Sequence, residues 1–200
     1  MLLHNNFGSL VNYGVIMTGS LYLTPNDPAA ALPTDRVLPV LQRLGIIGAR
    51  IAAGRFLAGD QLVRYITFAG CSPQLRFEPP AEGGNDFCHV ELLGPYAVPR
   101  MLSGPHTLNP RCPGCNRRAA DWRSLEAAWL AAPGTAEWTC EGCGTGYPVT
   151  AWRWRRYALF GHTFVAIRSV FPSEAVPEDR LLQALQEATG IGWDYGWAAS

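Results

Sequence analysis

Two short stretches constrain this chain more than anything else in it. "RCPGCNRR", Arg111 to Arg118, and "TCEGCGTG", Thr139 to Gly146, hold four of the six cysteines in matched Cys-x-x-Cys pairs. Two thiolates separated by two residues can turn toward one ion while the backbone between them folds into a tight knuckle. Two knuckles then complete a tetrahedron at about 2.3 Å per zinc–sulfur bond. Each knuckle also needs a residue tolerant of left-handed backbone after its second cysteine. Gly144 follows Cys143, and Asn116, the best substitute for glycine there, follows Cys115. Disulfides are the weaker reading, since a chain without a secretory signal is expected in a reducing cytosol. A thioredoxin-like redox motif explains one pair and leaves the other idle. The preferred reading is one structural Zn2+ per chain, held by Cys112, Cys115, Cys140 and Cys143. Four thiolates leave no open coordination position, so such an ion holds shape and activates no water.

"CPGCN" and "CEGCG" resemble the two knuckles of a zinc ribbon, and the strand-forming "YPVTAWRWRRY" after the second knuckle suits that module, where a treble clef would place a helix. The resemblance spans about residues 111–157 and is confined to them. It implies a metal-pinned β-hairpin, a device that similar modules use in transcription and translation proteins, in enzymes and in scaffolds. Twenty-four residues separate Cys115 from Cys140, more than a minimal ribbon needs. Within that interval "DWRSLEAAWLAAPG" predicts a helix, capped by Asp121, stopped at Pro133-Gly134, with Trp122, Leu125 and Trp129 on one face.

The remainder reads as α+β: an antiparallel sheet with a few flanking helices, and the zinc-ribbon hairpin inserted. Residues 1–18 lack periodicity and precede the first credible strand, so they are read as a loose arm or as a mis-called start, with translation from Met17 in place of Met1. Residues 19–200 are then a single domain carrying the module 111–157. "LPTDRVLPVLQRLG" predicts a helix opened by Thr34 or Asp35 and stopped at Gly45. "QLVRYITFAG" and "FCHVELLG" read as two strands able to pair as a hairpin, and "YPVTAWRWRRYALF" and "HTFVAIRSVF" as two more. The expected sheet therefore runs from Gln61 to Leu93 and from Tyr147 to Phe171. "PEDRLLQALQEATG" carries proline at its opening, acids in its first turn and Gly190 past its end, which predicts a helix. In "WDYGW" the alternation puts Trp193, Tyr195 and Trp197 on one face of a closing strand, as core rather than as a sticky edge.

Sixteen acids balance sixteen bases, all of them arginine, and this neutrality argues against a dedicated polyelectrolyte binder. No window is long and apolar enough for a membrane helix, so a cytoplasmic protein is expected. The candidate contact residues for a nucleic acid or another partner are Arg111, Arg117, Arg118, Arg153, Arg155 and Arg156, which lie among tryptophans. Two considerations weigh against nucleic acid. Four thiolates around Zn2+ carry a charge of about minus two for the arginines to neutralise. In addition, "WRWR" in a strand sends Trp152 and Trp154 to the core face and Arg153 and Arg155 to solvent. Cys71, Cys88, His89 and His106 are the remaining candidates for chemistry. Adjacent strand positions point Cys88 and His89 to opposite faces, and a free cysteine is more often a small buried hydrophobe than a reagent. His162 has no companion acid or nucleophile at a recognisable spacing. The expected function is therefore non-catalytic, with zinc bracing a surface for a protein partner. Nucleic-acid binding is the first alternative, and an enzyme using Cys71 or Cys88 the second.

Overall fold

A computed structural model of the chain describes residues 19–68, 75–170 and 174–199. The proposed arm 1–18, Cys71 and Phe171 lie outside them. In chain order the strands are β1 (Gly19–Pro25), β2 (Ile47–Ala52), β3 (Arg55–Ala58), β4 (Ile66–Phe68), β5 (His89–Leu93), β6 (Arg100–Leu102), β7 (Glu137–Thr139), β8 (Gly146–Pro148), β9 (Leu159–Gly161), β10 (Phe164–Val170), β11 (Ala175–Pro177) and β12 (Trp193–Ala199). The helices are α1 (Thr34–Arg43), α2 (Leu62–Tyr65), α3 (Trp122–Ala131) and α4 (Asp179–Thr189).

Six strands form the main sheet in the order β12-β1-β10-β5-β3-β2, every neighbouring pair antiparallel. Register explains its core. Leu21 sits opposite both Ile167 and Trp197, Leu23 opposite Val165 and Tyr195, and Val90 opposite Ile167 and Phe56. Partners across a ladder share a face, so the alternation of each strand assembles one continuous apolar surface. Helices α1 and α4 cover it with Val37, Val40, Leu41, Leu181 and Leu185. Each such side chain contributes about 2 kcal/mol when fully buried. Trp193, Tyr195 and Trp197 lie on this same face and pack on the core as the alternation predicts, with the Trp197 indole N–H donating to the Ala175 carbonyl at 2.7 Å. Both long helices keep their predicted ends. Gly190 closes α4 in the left-handed region at φ 74°, and α1 accommodates Pro39 within its length.

Three strand expectations are corrected. "QLVRYITFAG" begins as the short helix α2, and among its described residues the strand is β4, which pairs with β11 and not with β5. Strand composition is a weak preference, and burial of Leu62 and Ile66 four residues apart overrides it. Second, "YPVTAWRWRRYALF" is no continuous strand: β8 ends at Pro148, a 3-10 turn covers Val149–Ala151, and Arg155 and Arg156 turn the chain before β9. Of the expected stretch from Tyr147 onward, β10 alone joins the main sheet. Third, the hairpin β2–β3 belongs to the sheet although its Ala- and Gly-rich sequence carries little strand signal. Gly54, at φ 67°, makes its turn, and the edge strand β2 exposes all but Ile47.

The other face of the sheet is split. Tyr22, Phe164 and Ala166 meet Leu159, forming a small second core. The next residue, Phe160, points the opposite way into a third core made by the four-cysteine half of the chain. Strand β9, paired with β6, thereby joins the two halves through adjacent side chains on opposite faces.

Candidate metal centre

The two Cys-x-x-Cys stretches fold into matching knuckles. In the first, the Cys112 amide donates to the Arg117 carbonyl at 2.8 Å and the Asn116 amide to the Cys112 carbonyl at 3.0 Å. In the second, Cys140 donates to Thr145 at 3.0 Å and Gly144 to Cys140 at 2.8 Å. Asn116 and Gly144 both take left-handed backbone, with φ of 61° and 70°, as the sequence requires. Strands β7 and β8 are antiparallel neighbours and flank the second knuckle, while an isolated bridge between Arg111 and Arg118 flanks the first. The approach is tight. A side chain at Gly142 would stand 2.5 Å from the Arg117 side chain and 3.3 Å from the Cys115 sulfur.

All four sulfurs lie within 4.8 Å of one another. Cys112 and Cys143 are 3.8 Å apart, and Cys115 and Cys140 are 3.6 Å apart. Four sulfurs each bonded to one ion at ~2.3 Å would stand ~3.8 Å from each other, so the donor set fits a tetrahedral thiophilic ion. Cys112 and Cys140 are buried and form the base of the site, while Cys115 and Cys143 face solvent. Backbone amides prepare the sulfurs for ionisation. Those of Cys143 and Gly142 draw the Cys140 thiol down to about 6, and the Thr145 amide and hydroxyl lower Cys143. At Cys115 the Arg117 amide acts in the same direction, but local desolvation and the sulfurs of Cys140, Cys112 and Cys143 outweigh it and leave the thiol at about 11. Four crowded sulfurs retain a proton unless a cation replaces it.

The site rests on its own core. Trp122, Leu125 and Trp129 of α3 pack with Val149, Trp152, Trp154 and Phe160, and the Trp129 and Trp154 rings meet Phe160 at 4.9 and 5.8 Å. Asp121 caps α3 by accepting from the Arg123 amide at 3.1 Å. The alternation expected of "WRWR" survives the loss of the strand: Trp152 and Trp154 are 4% and 5% exposed, while Arg153 and Arg155 face solvent.

The six candidate arginines separate into two sets. Arg111 donates to the Asn116 carbonyl at 3.0 Å, and Arg153 to the Pro113 carbonyl at 3.2 Å and the Asn116 side chain at 3.4 Å. Together with a backbone pair between them, they brace the first knuckle from outside. Arg156 reaches Asp194 at 2.8 Å and lies 3.6 Å over the Tyr195 ring. By contrast, the side chains of Arg117, Arg118 and Arg155 make no hydrogen bond or ion pair with the described residues.

Of the other candidates, Cys88 is sealed in the sheet core, where burial pushes its thiol up to about 12. His89 points to the opposite face, stacked on Phe87, as strand alternation demands. His106 is exposed and belongs to no metal-ligating group among the described residues, and His162 bonds the Tyr96 carbonyl through Nδ1 at 2.6 Å. Sequence reasoning missed one polar cluster. Glu91, mid-sheet and nearly buried, is gripped by Arg55 at 2.7 Å and Arg168 at 2.6 Å, and Arg168 also donates to the Tyr22 hydroxyl at 2.6 Å. Burial alone would raise the Glu91 carboxyl, but Arg168 and then Arg55 hold it below its ordinary 4.5. The available signal was a single charge inside each of two apolar strands, "HVELL" and "FVAIRSV".

Among the described residues no helix is long and apolar enough to cross a membrane. No protein-family model matches the chain, and neither a curated protein nor a solved structure matches it significantly. The four-cysteine cluster therefore has to be interpreted from its own chemistry.

Proposed function

We propose that Cys112, Cys115, Cys140 and Cys143 hold one Zn2+ as a structural ion in a zinc-ribbon-like module, residues 111–157, inserted in a single α+β domain. On this reading the protein is non-catalytic and cytoplasmic, and the metal braces a surface that contacts another protein. The observation that carries it is the sulfur arrangement: two knuckles with the same backbone hydrogen bonds, at the spacing of a tetrahedral edge. Zn2+ when bound would cross-link the knuckles, and a site closed by four thiolates offers no position for substrate. The rigid, exposed part of such a module is the pair of knuckle tips with Arg117 and Arg118, which are left uncommitted by the fold.

Nucleic-acid binding remains the second reading, supported by those same free guanidinium groups. Burial of Trp152 and Trp154 removes the stacking faces on which a single strand would rest. One experiment separates the two readings. Protein isolated from its own cells at low salt is assayed for metal, cross-linked to its companions, and titrated with a single-stranded oligonucleotide at rising salt. The expected result is one zinc per chain, with protein cross-links at the knuckle tips. Oligonucleotide affinity that falls steeply with salt would favour the second reading instead. Cobalt-substituted protein with fewer than four sulfur donors would sink both.

A further inference from the structure

Between the four-cysteine half and one end of the main sheet lies a cleft of about 210 Å3, lined among others by Asn26, Thr150, Trp152, Arg155, Arg156 and Asp194. Two independent features set it apart. Trp152 is buried, and its indole N–H has no acceptor among the described residues. Buried donors in native proteins almost always have a partner, so this one calls for a partner beyond the described residues. The second feature is the turn Trp154–Tyr157, closed by the Tyr157 amide on the Trp154 carbonyl at 3.0 Å. Its central residues, Arg155 and Arg156, have φ of 53° and 69°, where glycine or asparagine is the ordinary choice. Strained backbone of this kind persists only where the surroundings enforce it, and it concentrates at ligand clamps. Here the Trp197 amide donates to the Arg156 carbonyl at 2.8 Å, and the Arg156 side chain is tied to Asp194 and Tyr195.

The charges then resolve simply. Arg155, Arg156 and Asp194 are the charged residues lining the cleft. Arg156 and Asp194 neutralise each other, and the Arg155 guanidinium has no counter-ion among the described residues. Asn26, Thr150 and Trp152 line the same cleft as Arg155. We infer that this cleft binds the carboxylate or phosphate group of a small anionic molecule, with Arg155 as its ion-pair partner and the Trp152 indole as a hydrogen-bond donor. This site is distinct from the metal centre and does not rest on the reading proposed for it.

Full-length, metal-loaded protein is titrated separately with inorganic phosphate and with succinate at low chloride, following the Trp152 indole resonance, assigned by its loss in Trp152→Phe. The expected result is a saturable downfield shift with at least one probe. Phosphate alone points to a phosphorylated ligand, and succinate alone to a carboxylic acid. Affinity, followed on neighbouring amides, should fall about tenfold in Arg155→Gly and in Trp152→Phe, the loss of one charge-assisted hydrogen bond. Arg155→Gly should melt no lower than the parent, since glycine suits that turn position. Arg43→Ala, on the exposed last turn of α1, removes an equal charge outside the cleft and should leave affinity unchanged. The inference is overturned if neither probe saturates in the millimolar range, or if Arg43→Ala weakens binding as much as Arg155→Gly. It is equally overturned if the indole signal ignores both probes, because Trp152 also borders a recess of about 60 Å3 beside Arg117, where water can satisfy it.

Discussion

Around the main sheet, strands of up to seven residues and the helices α1 and α4 close over leucine, isoleucine and valine, and the resulting core is continuous across every strand from β12 to β3. Around the knuckles, the strands are three residues long, the one helix is α3, and the buried volume comes mainly from four tryptophans, Trp122, Trp129, Trp152 and Trp154. The first region has enough paired backbone and apolar area to hold itself together. The second resembles the small scaffolds that need a metal or disulfide staple, because too few residues are available to build a core. On the zinc reading proposed above, one chain contains both solutions to the same problem, and β9 connects them.

The largest effect should come from removing the staple. Cys140→Ser, or chelation, is expected to abolish stoichiometric metal binding and cost the knuckle half most of its stability, since structural zinc supplies on the order of 10 kcal/mol in isolated modules. Hydrogen exchange should show amides of β7, β8 and α3 losing protection while those of β1 and β10 keep theirs. Simultaneous loss in both halves would show one cooperative unit and break the contrast. The converse test is Leu21→Ala, in the centre of the sheet, which should lower stability by about 3 kcal/mol without changing metal content.

A third experiment probes the polar cluster of the sheet. Glu91→Gln should destabilise by about 2 kcal/mol at neutral pH, because Arg55 and Arg168 lose their shared counter-ion. Since the Glu91 carboxyl is held below 4.5 in the folded protein, its contribution is complete above that pH and disappears as pH falls through the folded value. The melting difference between parent and variant, each measured at the same pH, should therefore narrow below pH 4.5. A difference independent of pH would show that packing and not charge is at stake. The smallest effect is expected at the outer brace of the metal centre. Arg153→Ala should weaken metal binding about tenfold in a chelator competition while leaving the four sulfur donors in place.

Legibility differed between the halves for a physical reason. The candidate metal ligands, the left-handed positions at Asn116 and Gly144, the face of α3 and the ends of α4 depend on residues a few positions apart, so local spacing reveals them. Even the alternation of Trp152 and Trp154 against Arg153 and Arg155 was visible, although the strand that suggested it was absent. The pairing of β4 with β11, the hairpin β2–β3 and the Glu91 cluster depend on residues brought together from distant parts of the chain. No short-range pattern encodes them.

The sequence by itself determined that four sulfurs would meet, because Cys-x-x-Cys followed by asparagine or glycine is a complete local instruction for half a tetrahedron. Tertiary structure alone decided what each arginine does. Arg111 and Arg153 were drawn to knuckle carbonyls and Arg156 to Asp194, while Arg117, Arg118 and Arg155 were left to solvent. A guanidinium group finds its partner through space, and nothing in the order of residues says which carbonyl or carboxylate the folded chain will bring within reach.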